Sequence, residues 1–361
     1  MKILFYGPLG HNIPKERVGG AEKGCLRSIN LLRRNKYLVN TIEKPTMCYG
    51  FRHFIFDLFR ILSKIIKELN KKNYDLFYIV GFYDKQVYLE SLLVLIGRLK
   101  GIKIIYEPKN GGMVRIYNNS SVLYKLFSNY IFSNSNLIFC QGMEYVDFLK
   151  SKGYNNCTYL PNYISHEHMC YYNGRINQHD SLNLVYIGRL TRDKNIDLIL
   201  DIFTEIHRRY ENSKLFLIGG ADKQYKGDLI RHINKNNITQ SVTMTGVLDF
   251  QNIAGYLNKS KYFIFPSNNQ SEGHSNALTE AMFFGVVPIA SSIGFNRSVI
   301  GNDELIIGSF DHLKYANKII EIEEKGNWLS LSEKMRNRVL KNYTEDIVHN
   351  RYIEVIEKYD K

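Results

Sequence analysis

No CxxC pair occurs in this chain of 361 residues, whose five cysteines (Cys25, Cys48, Cys140, Cys157 and Cys170) are scattered and odd in number. That pattern supports neither a disulfide framework nor a structural zinc site, and it fits reduced thiols in the cytoplasm. His166-Glu167-His168 offers two ligands at i,i+2 spacing with no third nearby, a poor metal site, so no metal is expected. No apolar run approaches the ~18 residues that a membrane span needs. The opening MKILFYGPLG is too short in apolar residues for a signal peptide and reads as a first strand. The fingerprint GxGxxG is absent after that strand, which argues against a nicotinamide enzyme. Internal repeats and low-complexity tracts are also lacking. These absences leave a cytoplasmic protein without a cofactor, either free or resting on the inner face of the cell membrane.

The length suits two domains rather than one. Charge is unevenly spread between them: residues 1–180 hold 25 Lys and Arg against 13 Asp and Glu, while residues 181–361 hold 23 against 22. A basic first half points to an anionic partner, with lipid headgroups, nucleic acid or an acidic acceptor as candidates, or to a lysine-rich surface with no partner. No nucleic-acid motif accompanies the charge. Residues 54–69 (FIFDLFRILSKIIKEL) form an amphipathic helix with an apolar stripe of Phe54, Ile55, Leu58, Leu62, Ile65, Ile66 and Leu69. Arg60, Lys64, Lys67 and Lys71 recur on another face. Such a helix covers a sheet, and its basic face is able to touch an anionic membrane. Arg115–Phe132 adds Tyr117, Tyr124, Phe127, Tyr130 and Phe132 beside Arg115 and Lys125, a mixture suited to a partly buried helix, to a membrane interface or to an acceptor groove.

Both halves open with strand, glycine-containing loop and helix. In the first half Lys2–Tyr6 leads to Gly19-Gly20 and an apolar helix through Cys25, Ile29 and Leu32. In the second, Leu184–Ile187 is followed by Gly188-Arg189-Leu190-Thr191-Arg192-Asp193-Lys194 and helix Ile196–Tyr210. Arg189 and Lys194 at the mouth of a strand–helix turn can neutralise a diphosphate, arginine by a forked contact and lysine as a point charge. Leu215–Ile218 and Val242–Thr245, ending at Gly246, are further strands.

The most informative stretch runs from Phe263 to Ser291 (FIFPSNNQSEGHSNALTEAMFFGVVPIAS). A short apolar strand stops at Pro266. A polar loop ends in Glu272, Gly273, His274 and Ser275. A helix follows over Asn276–Phe284, and Gly285 closes it. A loop leading from a parallel strand into a helix start is where open α/β sheets hold ligands, and the free N–H groups there suit phosphate. Glu272 and Glu280 bracket the helix start. They either grip the two ends of one ligand, or serve as a first-turn capping acid and a solvated helix residue.

Ser271-Glu272-Gly273, Asn276-Ala277-Leu278, Glu280-Ala281-Met282, Gly285 and Pro288, with Arg189 and Lys194 upstream, resemble the signature of retaining family 4 glycosyltransferases of the GT-B fold. That resemblance implies two Rossmann-like α/β domains with parallel sheets facing a central cleft. The expected boundaries are 1–162 for an acceptor domain, 163–181 for a linker and 182–343 for a nucleotide-sugar donor domain. Residues 344–361 are expected as a helix packing back on the first domain.

By position, the resemblance gives Glu272 the hydroxyls of the transferred sugar and Glu280 those of the ribose. Asn276, Ala277 and Leu278 take the phosphates, Arg189 and Lys194 the pyrophosphate, and Gly246 the nucleobase border. Gly188, Gly273, His274 and Ser275 complete the binding set, and Gly19-Gly20 lie over donor phosphates or acceptor. His274 and Ser275 stand where many members carry an aromatic residue and a proline or glycine. Many members carry a histidine in the loop after the strand that ends at Tyr106; none occurs in that loop here, so Lys109 and Asn110 take that place only by position. The implied reaction is transfer from a nucleotide sugar to a hydroxyl of a glycan or lipid-linked glycan, with retention, at an anionic membrane surface and with no metal. A sugar-nucleotide epimerase of the same fold and a non-catalytic membrane-associated subunit of glycan synthesis are the alternatives.

Overall fold

The computed structural model describes residues 1–11, 20–44, 51–71, 73–81, 85–174 and 181–360, with the side chains of residues 51–55 left out. Gly19 and the apolar positions Phe54 and Ile55 therefore lie outside the described side chains. The chain forms two compact units, Met1–Pro161 with His349–Lys361, and Asn162–Val348.

The first unit is built on strands β1 (Lys2–Gly7), β2 (Leu38–Glu43), β3 (Leu76–Gly81), β4 (Lys103–Pro108), β5 (Leu137–Cys140) and β6 (Cys157–Tyr159). They pair in parallel in the order β2-β1-β3-β4-β5-β6. The central strand β3, LFYIVG, is buried at every position, as a parallel strand covered by helices on both faces must be. The last stretch of the chain returns to this sheet. Tyr352 is buried, stacked on Phe139 (5.2 Å) and tilted against Tyr78 (6.4 Å), and Lys103 Nζ donates to the Tyr359 carbonyl (3.0 Å).

Helix Phe51–Lys71 buries Ile61, Ile65 and Leu69. The apolar stripe expected there is only partly covered. Ile66 is exposed, and so are Phe56 (67%) and Phe59 (68%) on the same helix. The aromatic stretch Arg115–Phe132 is two helices, Met113–Asn119 and Val122–Asn134. The break falls where the Tyr124 amide donates to Ser121 Oγ (3.3 Å), an N-cap that restarts the helix.

The second unit carries β7 (Asn183–Ile187), β8 (Lys214–Ile218), β9 (Val242–Gly246), β10 (Tyr262–Phe265), β11 (Val287–Ser291) and β12 (Ile306–Ile307). All pair in parallel, in the order β12-β11-β10-β7-β8-β9. Counted within the unit this is 3-2-1-4-5-6, the Rossmann order, and the direction of winding reverses between β7 and β10. Ligands of open α/β sheets sit outside the carboxyl ends of the strands at that reversal. The two loops that leave β7 and β10 are the two stretches carrying the sequence motifs.

Residues 163–181 were expected as a solvated linker, and the structure corrects this for residues 163–174, which are seated on the second unit. Ile164 bridges Thr344. Ser165 caps the one-turn helix His166–Met169 by accepting from the His168 amide (3.3 Å). Tyr172 packs edge-on against Phe283 and Phe284 with the Arg336 guanidinium 3.7 Å from its ring centre. Aromatic side chains bury too much apolar surface to stay in water where a complementary face is available. Periodicity in so short a segment gives no warning of this.

Candidate active site

Three loops at the carboxyl ends of β7, β10 and β11 are tied into one body. Asn195, in the left-handed conformation after the β7 loop, donates from Nδ2 to the Pro266 carbonyl (2.9 Å). The Asn268 amide donates to the Asp193 carbonyl (2.9 Å), and Ser291 Oγ donates to the Ser267 carbonyl (2.7 Å). Two glycines permit this closeness. A Cβ on Gly219 (φ +147°) would strike the Gly188 carbonyl, and a Cβ on Gly294 (φ +65°) would strike the Glu272 carbonyl.

The geometry brings Lys194 and Glu272 together. Lys194 Nζ donates to Glu272 Oε2, and the same oxygen accepts from Ser267 Oγ (2.6 Å). Both side chains are largely buried, so the pair is weakly screened. Glu272 Oε1 has no hydrogen bond among the described residues, which leaves one oxygen of a rigidly held carboxylate to accept from a ligand. Ser267 has only local context in the sequence, as the first polar residue after the strand-ending Pro266.

Arg189 is exposed, and among the described residues it has no carboxylate partner. Its carbonyl accepts from Tyr186 Oη (3.1 Å) beneath the loop. Burial first, and then the nearby Glu272 charge, push the Tyr186 hydroxyl well above its usual range, so it stays a neutral donor. Arg192, which also lies in this loop, is engaged elsewhere with Asp228 (2.6 Å).

Helix Asn276–Phe283 begins beside Glu272. The Leu278 amide donates to Ser275 Oγ (3.3 Å), while the amides of Asn276 and Ala277 fall before the first intrahelical bond and have no helical acceptor. Asn276 Oδ1 and Thr191 Oγ1 are buried without a hydrogen-bond partner among the described residues. Glu280, one turn in, places Oε1 3.0 Å from Nδ1 of His168.

The other expected residues are placed as follows. Gly188 follows β7 and Gly246 ends β9, and the Gly246 carbonyl accepts from the Gly219 amide (2.9 Å). Gly273 lies in the loop between Glu272 and the helix. The His274 ring does not present itself to a ligand: it is buried, its Nε2 lies 2.7 Å from Thr279 Oγ1, and it meets Tyr343 edge-on (5.1 Å). It packs the helix start from within. Gly20 begins helix Gly20–Arg34 of the first unit and is exposed. Lys109 pairs with the buried Glu107, which also accepts from Tyr78 Oη (2.7 Å).

Residues 175–344 match the family model of glycosyl transferases group 1. This segment is a group 1 glycosyltransferase domain. The group 1 domain is accompanied by likeness to curated proteins over similar lengths. The chain is 24% identical over 168 residues to a subunit of the phosphatidylinositol N-acetylglucosaminyltransferase of Arabidopsis thaliana, covering 46% of this chain and 36% of that one. It is 23% identical over 172 residues to the capsular polysaccharide biosynthesis glycosyltransferase CapM of Staphylococcus aureus, covering 47% and 44%. The chain thus spans less than half the length of these relatives. Among solved structures, Anabaena Alr3699/HepE in complex with UDP superposes with a TM-score of 0.71 at 13% identity, covering 99% of this chain and 100% of that one. At such identity the likeness speaks to the fold, and the fold is GT-B.

Proposed function

We propose that this chain transfers a glycosyl group from a nucleoside diphosphate sugar to a hydroxyl of a glycan or lipid-linked glycan, with retention of anomeric configuration. The observation that carries the reading is the buried Lys194–Glu272 pair, with the exposed Arg189 on the same loop as Lys194, at the winding reversal of a group 1 domain. A departing nucleoside diphosphate gains negative charge as the glycosidic bond breaks. Fixed cations and helix-start N–H groups stabilise that charge without reorganising. Arg189 and Lys194 supply the cations, and Asn276 and Ala277 the amides. Glu272 Oε1 accepts from a hydroxyl of the sugar, and Glu280 from the ribose. No metal or cofactor enters this reading.

The acceptor side belongs to the first unit. Phe56 and Phe59 stand exposed on helix Phe51–Lys71 beside Arg60, Lys64 and Lys67, which are exposed too. Leu92, Leu95, Leu123 and Leu126 are exposed on helices Val87–Leu99 and Val122–Asn134. Apolar and basic side chains together fit an anionic membrane surface, where the acceptor of a surface glycan is presented. No helix among the described residues is long and apolar enough to cross a membrane.

The test is a screen of nucleotide sugars by thermal shift, led by UDP sugars because HepE was solved with UDP. Arg189→Ala serves as the control. One sugar is expected to raise the melting temperature of the wild type and not of the variant. A wild type indifferent to every nucleotide sugar would overturn the reading. Flotation with liposomes containing anionic lipid, at low salt, tests the membrane contact, and equal recovery with neutral liposomes would count against it.

A further inference from the structure

The His168 ring lies flat on Phe250, with centroids 3.5 Å apart and planes within 3°. Its Nδ1 stands 3.0 Å from Glu280 Oε1. A carboxylate is an acceptor only, so this nitrogen carries the proton and donates. The other oxygen, Glu280 Oε2, makes no hydrogen bond among the described residues. His168 and Glu280 are separated by 112 residues, and their contact exists because the segment after the first unit is seated on the second. Several bonds hold that segment in place. Asn162 Nδ2 donates to the His274 carbonyl (2.7 Å), Asn258 Nδ2 donates to the Tyr171 carbonyl (2.9 Å), and Ser165 caps the short helix.

Left alone, Glu280 would be a long side chain with several rotamers, and fixing such a chain against a ligand costs conformational entropy. The imidazole removes that freedom before any ligand arrives. Its own ring is fixed in turn by the stack on Phe250, and Phe250 is backed by Phe284 (6.2 Å, edge-on).

We propose that His168 is a positioning residue for the nucleoside end of the donor site, holding Glu280 Oε1 so that Oε2 accepts from the ribose hydroxyls. The inference rests on the reading above that Glu280 meets the ribose. His168 need not touch the nucleotide, and it makes no demand on the diphosphate contacts of Arg189 and Lys194.

The experiment measures binding of a nucleoside diphosphate (the tightest of UDP, GDP, ADP and CDP) and of its 2′,3′-dideoxy counterpart by calorimetry. The proteins are the full-length wild type, His168→Ala, His168→Phe and Glu280→Ala. His168→Phe keeps an aromatic ring on Phe250 and lacks the N–H donor, so it separates loss of the hydrogen bond from loss of packing. Wild type is expected to prefer the ribonucleotide by roughly tenfold or more, the scale of a hydrogen bond to a charged group. Both His168 variants are expected to lose most of that preference while binding the dideoxy compound as wild type does. In turnover, the donor KM rises and kcat holds within about twofold.

If Glu280→Ala keeps the ribose preference, the reading of Glu280 fails and the inference falls with it. Loss of the preference in Glu280→Ala but not in either His168 variant overturns the inference alone. Tighter nucleotide binding by His168→Ala would also overturn it, because the imidazole would then be an occupant that the nucleotide displaces.

Discussion

Lys194 and Glu272 lie 78 residues apart in the chain and meet as an ion pair, with Ser267 bonded to the same carboxylate oxygen. In the proposed reading, the cation assigned to the diphosphate and the acid assigned to the sugar are therefore one electrostatic unit. Breaking either partner leaves the other charge buried and unpaired. Lys194→Met should destabilise the fold by about 3 kcal/mol and lower kcat/KM roughly 10²-fold or more. The double variant Lys194→Met/Glu272→Gln should recover much of the stability and none of the activity. Urea denaturation of the four proteins of this cycle, with initial rates, checks both halves. A double variant less stable than Lys194→Met would show that the pair is not coupled.

Arg189 offers the opposite combination. It is exposed and has no carboxylate partner among the described residues, so Arg189→Ala should change stability by no more than about 0.5 kcal/mol. Donor affinity should nevertheless fall roughly tenfold or more, because a forked cation–phosphate contact is lost. The wild-type affinity should weaken with added salt more steeply than that of the variant. Titrations at two ionic strengths decide this.

Two glycines give contrasting outcomes for the same substitution. Gly294→Ala places a methyl group against the Glu272 backbone at a positive φ. It should cost about 2–4 kcal/mol and displace the acid, lowering kcat. Gly255 sits exposed in helix Phe250–Leu257 with open space where its Cβ would be. Gly255→Ala should stabilise by roughly 0.5–1 kcal/mol and leave kinetics unchanged. Thermal melts of the two variants should move in opposite directions.

Cys157 is half-buried, and a hydrogen bond from the buried Cys140 thiol lowers its pKa to about 7. The thiolate is the reactive form. Alkylation of Cys157 by iodoacetamide should therefore rise with pH, bend near 7 and level off above it. Cys140→Ala removes the donor and should carry the bend upward toward an ordinary thiol near 8.5. Rates followed by peptide mass spectrometry across pH 5.5–9 test the shift. An unmoved bend would assign the lowering to something other than Cys140.

The strands flanking the site loops were legible where apolar runs are short, continuous and bounded. The strands β7, β8 and β10 and helix Asn276–Phe283 all stand within a residue or two of where the pattern puts them. The strand β2 was not legible, since it pairs on one side only and leaves Leu38 exposed at its start. Helix Lys223–Lys235 was not legible either. Its buried side is the narrow stripe Tyr225, Leu229 and Ile233 on an otherwise polar sequence. At the site, the identities of Lys194, Glu272 and Glu280 followed from motif and order. Their partners Ser267 and His168 did not, and neither did the inward turn of His274. Each of those is decided by a tertiary contact that no local spacing encodes.

The first unit is closed by Tyr352, wedged against Phe139 and Tyr78, and the residues between belong to the other unit. On a ribosome adding about 5–20 residues per second, the opening sheet must wait roughly 10–40 s, incompletely lined, while the whole group 1 domain is made. During that interval its apolar floor is open to chaperones and to neighbouring nascent chains. The half that is made first is thus sealed only after the other has been synthesised.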